Sequence, residues 1–180
     1  GANGEPATAT TPADDAAVAP ADGRPGTTMY VSWGGSGRGQ ALRAAVELAA
    51  SAERDLTSLA ILDARTTADL DPELVDAIED ELVWLLRAQT RMIRRELGFA
   101  STATEVVVRR GRIVDVLKTA INDLGADRVL IGAPALIDPG TEHVESVHRL
   151  IEIVDEGTGV RPEIVDPDDH QPAGSAGATR

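Results

Sequence analysis

A chain of 180 residues with 42% hydrophobic content can bury one sizeable core and is too short for two ordinary domains. Its formal net charge of −13 repels nucleic-acid phosphates and anionic lipid, so neither is an expected partner. Without cysteine there is no disulfide framework, thiolate nucleophile or zinc–thiolate site, and no run approaches the roughly 20 apolar residues of a membrane span; a soluble domain in a reducing cytoplasm is expected.

Residues 1–28 are Ala, Thr, Pro, Gly and Asp with almost no large apolar side chain, too little burial to offset the roughly 1–2 kcal/mol per residue of ordering entropy. They are expected to form a disordered linker. The chain opens on Gly1 rather than methionine, which leaves room for a parent protein before it. Residues 166–180, with Pro167, Pro172 and a Gly/Ala/Ser run, form the second expected disordered tail. The folded unit is therefore 29–165. Arginine is strongly preferred, with Lys118 the one lysine, a bias that suits a halophile or a GC-rich genome equally.

Inside this unit short apolar runs alternate with helical stripes, the pattern of a parallel sheet with crossover helices. Residues 29–33 read as the first strand. Leu42, Ala45, Val46 and Ala49 recur at helical spacing over 40–50, and 56–62 is a second buried strand. A long helix follows, capped by Asp71, with Pro72 in its first turn and Gly98 at its end. Leu74, Ile78, Leu82, Leu85, Gln89 and Met92 are predicted to trace its inner face, and its acids precede its arginines as the helix dipole favours. Residues 105–109 give a third strand, 113–124 a third helix, 128–131 a fourth strand, 141–154 a fourth helix and 163–165 a fifth strand. Right-handed crossovers make this an α/β fold, a single doubly wound five-stranded parallel sheet.

Ligands of such sheets sit outside the carboxyl ends of the strands where the strand order reverses. If the first and fourth strands flank that point, the loops at 34–39 and 132–141 face one crevice. Gly34, Gly35, Ser36, Gly132, Gly140 and Thr141 are the candidate phosphate-cradling positions, and Gly111 lies at the same sheet edge. Glycine also serves such turns through its backbone freedom alone. Asp63 ends the second strand as a dinucleotide fingerprint would want, but Gln40 stands where the third glycine belongs, and no Gly-Lys-Ser/Thr loop occurs. Catalytic and metal constellations are absent: His143 and His148 lie about 140° apart around a helix, His170 falls in the tail, and Ser36 has no triad partner in sequence.

Tyr-Val-Ser-Trp-Gly-Gly-Ser at 30–36, followed by the Ala-rich stretch 41–49, resembles the opening of universal stress proteins. Arg-Gly-Arg-Ile-Val-Asp-Val-Leu at 110–117 and Leu-Gly-Ala-Asp-Arg-Val-Leu-Ile-Gly at 124–132 resemble two further stretches of that family. The resemblance spans the whole unit and implies a small, dimeric, non-catalytic protein on a Rossmann-like sheet. Some members bind ATP through Gly-x2-Gly-x9-Gly-Ser/Thr after the fourth strand. Here Gly132 matches the first glycine, Ala135 replaces the second, and Gly140-Thr141 comes about five residues early. Gly34 stands in place of the aspartate of the first strand, and Arg112-Ile113 in place of Asp-Pro.

The resemblance thus implies a regulatory or stress-response domain without ATP, acting by protein association, as a homodimer through the exposed fifth strand or as a cytoplasmic appendage of a membrane transporter. The alternative is an ATP or adenine-nucleotide sensor with its ligand between the two glycine loops. An adenylating enzyme is disfavoured, because Ser32-Trp33-Gly34-Gly35-Ser36 breaks the order of the related Ser-Gly-Gly-x-Asp-Ser loop and offers no acid for magnesium.

Overall fold

The computed structural model describes residues 26–32, 39–99, 102–132 and 141–165, the last with side chains from residue 147 onward. Along them run β1 (Thr27–Ser32), α1 (Gln40–Ser51), β2 (Leu56–Asp63), α2 (Ala64–Thr67), α3 (Pro72–Leu97), β3 (Thr104–Gly111), α4 (Ile113–Leu124), β4 (Ala126–Gly132), α5 (Thr141–Thr158) and β5 (Glu163–Val165). Every pairing is parallel, and the five strands lie in the order β3-β2-β1-β4-β5. This is the doubly wound sheet expected from the sequence. β1 pairs with both β2 and β4, so the order reverses between the first and fourth strands, as the crevice argument requires.

Both faces of the sheet are covered, which is why its central strands read as unbroken apolar runs. Met29, Val31, Leu59, Val129 and Ile131 pack against Leu117 and Ile121 of α4 and Leu150, Ile151 and Val154 of α5. On the other face Tyr30, Leu56 and Leu130 pack against Leu42, Ala45, Val46 and Ala49 of α1 and Ile93 of α3. Among the described residues no helix is long and apolar enough to cross a membrane.

Several expectations need correction. Thr27 and Thr28 were expected in the linker but belong to β1; Thr28 is fully buried, its amide donates to Asp55 O and its Oγ1 accepts from Arg54 Nε at 2.9 Å. Residues 1–25 and 166–180, expected as tails, lie outside the described residues, as does Trp33. A short helix, α2, adds a fifth to the four expected, capped by Asp63, whose Oδ1 accepts from Arg65 N at 3.1 Å. Asp71 does occupy the N-cap position of α3, but it caps through its carbonyl, which accepts from Leu74 N and Val75 N, and its side chain makes no cap bond.

The largest correction concerns α3. Its buried side chains are Val75, Leu86, Thr90 and Ile93, whereas Leu74, Leu85 and Met92 are exposed. Ile78, Leu82 and Gln89 of the predicted stripe are half-buried, so the inner face is rotated from that stripe by somewhat less than one residue, or about 80–90°. Arg110 of β3 helps hold this orientation: its Nη2 donates to Asp76 Oδ1 at 2.5 Å and its Nε to Glu79 Oε2 at 2.6 Å. Hydrogen bonding to Asp76, then to Glu79, raises the guanidinium pKa above its already high ordinary value.

Candidate functional site

The carboxyl ends of the strands present Ser32 of β1, Asp63 of β2, Gly111 of β3 and Gly132 of β4. The candidate positions Gly34, Gly35, Ser36 and Gly140 lie outside the described residues, and Thr141 is described only as the first residue of α5. The two expected site glycines that are described both have packing roles. At Gly132 an added Cβ would stand 2.7 Å from Tyr30 Oη and 3.2 Å from Ala41 Cβ, so the absent side chain lets α1 and Tyr30 close over the end of β4. Gly111 has φ 144° and a Cβ there would meet Val116 Cγ2 at 2.8 Å, so only glycine turns the chain from β3 into α4. Gly111 also sits opposite Asp63 at the β3 edge, two strands from the β1–β4 crevice.

Beside that crevice lies a cleft in two adjoining lobes. One, of about 410 Å³, is walled by Val31, Ser32, Ile61, Leu62 and Ile113, with Thr66 and Thr67 at its rim. The other, of about 500 Å³, is lined by the apolar Ile113, Val114, Leu150 and Ile153 together with Arg65, Arg112 and Arg149. Asp63 and Ile113 belong to both lobes. Asp63 is held by its cap bond to Arg65 N and by Thr67 Oγ1 donating to its carbonyl at 3.2 Å. The start of α4, with Ile113 as its first residue, contributes the positive end of a helix dipole to the same wall.

This arrangement reverses the sign of the surface locally. The chain as a whole carries −13, yet the lining of this lobe includes three arginines and one carboxylate, Asp63. Arg112 pairs loosely with Asp115 at 3.9 Å, while Arg65 and Arg149 make no ion pair among the described residues. A lining that combines apolar side chains with guanidinium donors suits a ligand with a flat or apolar body and an anionic group, since Arg binds phosphate and carboxylate oxygens in bidentate fashion. Among the described residues there is no cluster of three His, Asp or Glu side chains that could hold a metal ion.

Sequence reasoning weighed Asp63 only within a dinucleotide fingerprint and did not single out the arginines. Arg65 and Arg112 each follow the end of a strand by one or two residues, a signal that was available. Arg149 lies within α5 and reaches the cleft only through the packing of α5 beside α4, which no local pattern reports.

The strand order and the cleft define a doubly wound α/β domain with a hollow at its carboxyl edge. No family model and no curated protein matches the sequence. Among solved structures the chain is similar to UspA of Lactobacillus plantarum, a universal stress protein, at 20% identity over 81% of this chain and 100% of that one, TM-score 0.52. It is also similar to a universal stress protein crystallised in complex with cAMP, at 19% identity over 78% of this chain and 97% of that one, TM-score 0.51. A hypothetical protein, PH0823, aligns at 16% identity over 77% and 94% of the two chains, TM-score 0.53. The fold of this chain is that of the universal stress proteins.

Proposed function

We propose that the chain is a non-catalytic regulatory domain of the universal stress protein type, whose carboxyl-edge cleft takes up a small anionic ligand, an adenine nucleotide being the class that fits. Occupancy is passed on by protein association. The observation that carries this reading is that Arg65, Arg112 and Arg149 share the lining of one lobe with Ile113, Val114, Leu150 and Ile153. A purine would rest on the apolar side and its phosphate on the arginines; the cAMP complex of a protein with this fold supports that choice of ligand. In this reading the phosphate is gripped by side chains on the β2–β3 side of the crevice, and the altered glycine motif at Gly132, Ala135 and Gly140-Thr141 is not required.

A second reading, association without any ligand, is favoured by Gly132, whose missing Cβ makes room for Tyr30 and Ala41. In that case the domain works by its surfaces alone, as a homodimer through the open edge of β5, where Ile164 is exposed, or as the appendage of a cytoplasmic partner such as a membrane transporter.

Calorimetric titration with cAMP, and with ATP and magnesium, separates the two. Saturable binding that weakens about tenfold or more on Arg65→Ala or Arg149→Ala supports the ligand reading, as loss of a charge-assisted contact of about 1.5–3 kcal/mol predicts. A folded protein that gives no heat with either nucleotide refutes it and leaves association alone.

A further inference from the structure

α3 is 26 residues, about 39 Å, long and lies with one face against β2, β3 and α1. Its opposite face carries large apolar side chains where a solvated helix would carry few. Trp84 is 70% exposed, Met92 57%, Leu74 48% and Leu85 42%, and Ala77 and Ala88 lie between them. Leu74 and Met92 are separated by five helical turns, so these side chains run the length of the helix, with Glu81 set among them between Ala77, Trp84 and Leu85. Monomeric surfaces seldom carry a stripe of large apolar groups of this extent.

The charges beside the stripe say what covers it. Glu73, Asp80 and Glu81 in the first half of the helix make no ion pair among the described residues, and neither do Arg87, Arg91 and Arg95 in the second half. The midpoint of Pro72–Leu97 falls between Trp84 and Leu85, the centre of the apolar stripe. A twofold axis through that point sets α3 antiparallel to α3 of a second copy. Asp80 and Glu81 then lie beside Arg87 and Arg91 of the second copy, Glu73 beside its Arg95, and Trp84 against its Leu85. A shallow hollow of about 510 Å³ lined by Ala88, Arg91, Met92, Arg95 and Glu96 receives Leu74 and Ala77 of the second copy. A parallel pairing would instead set acid against acid and arginine against arginine.

We propose that the outer face of α3 is an isologous interface in which two copies of this chain pair antiparallel about Trp84 and Leu85. The interface is independent of the ligand cleft and of the β5 edge, so failure of either of those readings leaves it standing. Were the β5 edge also used, two isologous surfaces on one chain would build assemblies larger than a dimer.

Sedimentation velocity of the full chain over a dilution series tests the proposal. Self-association is expected, and Trp84→Glu, at an exposed position, is expected to lower the assembled mass to half or less with the circular dichroism spectrum unchanged. The chain has no cysteine, so Leu85→Cys introduces a unique thiol at the axis, and mild oxidation is expected to give a reductant-sensitive covalent dimer. Glu73→Cys is expected not to cross-link, its two copies being about 35 Å apart in the antiparallel pair. A monomer at all concentrations, an assembly that ignores Trp84→Glu, or a Glu73→Cys dimer without a Leu85→Cys dimer overturns the proposal. Should Trp84→Glu misfold, the two cysteine variants decide alone.

Discussion

Gly132→Ala asks whether the glycine that ends β4 is kept for a ligand or for packing. The backbone there is extended and carries no positive φ, so alanine brings no conformational strain and all of its effect comes from the added methyl. That methyl would stand 2.7 Å from Tyr30 Oη, closer than real Cβ atoms approach, and 3.2 Å from Ala41 Cβ. Tyr30 is only 3% exposed and its ring is wedged among α1 side chains, so it cannot swing into solvent to make room. Overpacking of this kind costs about 1–3 kcal/mol. Because the contact is chiefly with the hydroxyl, Tyr30→Phe should return much of the loss when combined with Gly132→Ala, although alone it sacrifices the hydroxyl's own interaction. The assay is urea denaturation of the four species of the double-mutant cycle, with m-values compared to confirm two-state behaviour. A coupling energy of at least about 1 kcal/mol in favour of the double variant is expected. If Gly132→Ala leaves stability unchanged, or if the two substitutions are simply additive, the packing explanation fails and Gly132 returns as a ligand-binding candidate.

Leu117 of α4 is fully buried between the sheet and α5, and Leu117→Ala should cost about 2–5 kcal/mol in the same assay; a loss below that range would mean that α4 relaxes freely onto the sheet. Ser58 on β2 is 2% exposed and its hydroxyl has no hydrogen-bond partner among the described residues, so Ser58→Ala should be neutral or stabilising by up to about 1–3 kcal/mol, whereas destabilisation would reveal a hidden partner for the hydroxyl. Arg110→Gln should loosen the first half of α3, seen as faster amide exchange near Asp76 and Glu79, and the difference from wild type should shrink as salt is raised. Because the folded-state pKa of Arg110 is raised, the stability it contributes is complete below the unfolded-state value and is lost only as pH rises through the folded one. Both are strongly alkaline, so this ionisation adds no pH dependence across neutrality.

The sheet was legible because burial on both faces leaves a simple record: continuous apolar runs at Met29 to Val31 and Val129 to Ile131, each followed by a glycine stop and a helical stripe. The helix faces were legible where only one apolar stripe exists, as in α1, where Leu42, Ala45, Val46 and Ala49 are all buried as expected. In α3 the sequence holds two stripes. Leu74, Ile78, Leu82, Leu85, Gln89 and Met92 were read as the inner face; Ile78, Leu82 and Gln89 are half-buried, but Leu74, Leu85 and Met92 are exposed and Val75, Leu86 and Ile93 are inside, with Thr90 among them bonding its hydroxyl to Leu86 O at 2.7 Å. Hydrophobicity alone could not rank them, because the orientation of α3 is tertiary: Ile93 packs with Tyr30 and α1 and Leu86 with Ala60 and Val106 of the sheet, while Arg110 of β3 and Arg43 of α1 reach its flanks at Asp76, Glu79 and Glu96.

The same limit governs the cleft. Of the glycines that stand out in the sequence, Gly111 lies against Val116 and Gly132 against Tyr30 and Ala41, and Gly34, Gly35 and Gly140 lie outside the described residues. Arginines are abundant in this chain, so Arg65, Arg112 and Arg149 become distinctive only when three separate elements bring them to one wall. A helix with two apolar faces has one more than folding needs. Both the misread stripe of α3 and its unpaired acids and arginines are therefore accounted for by one physical demand, a surface that is completed by a second chain.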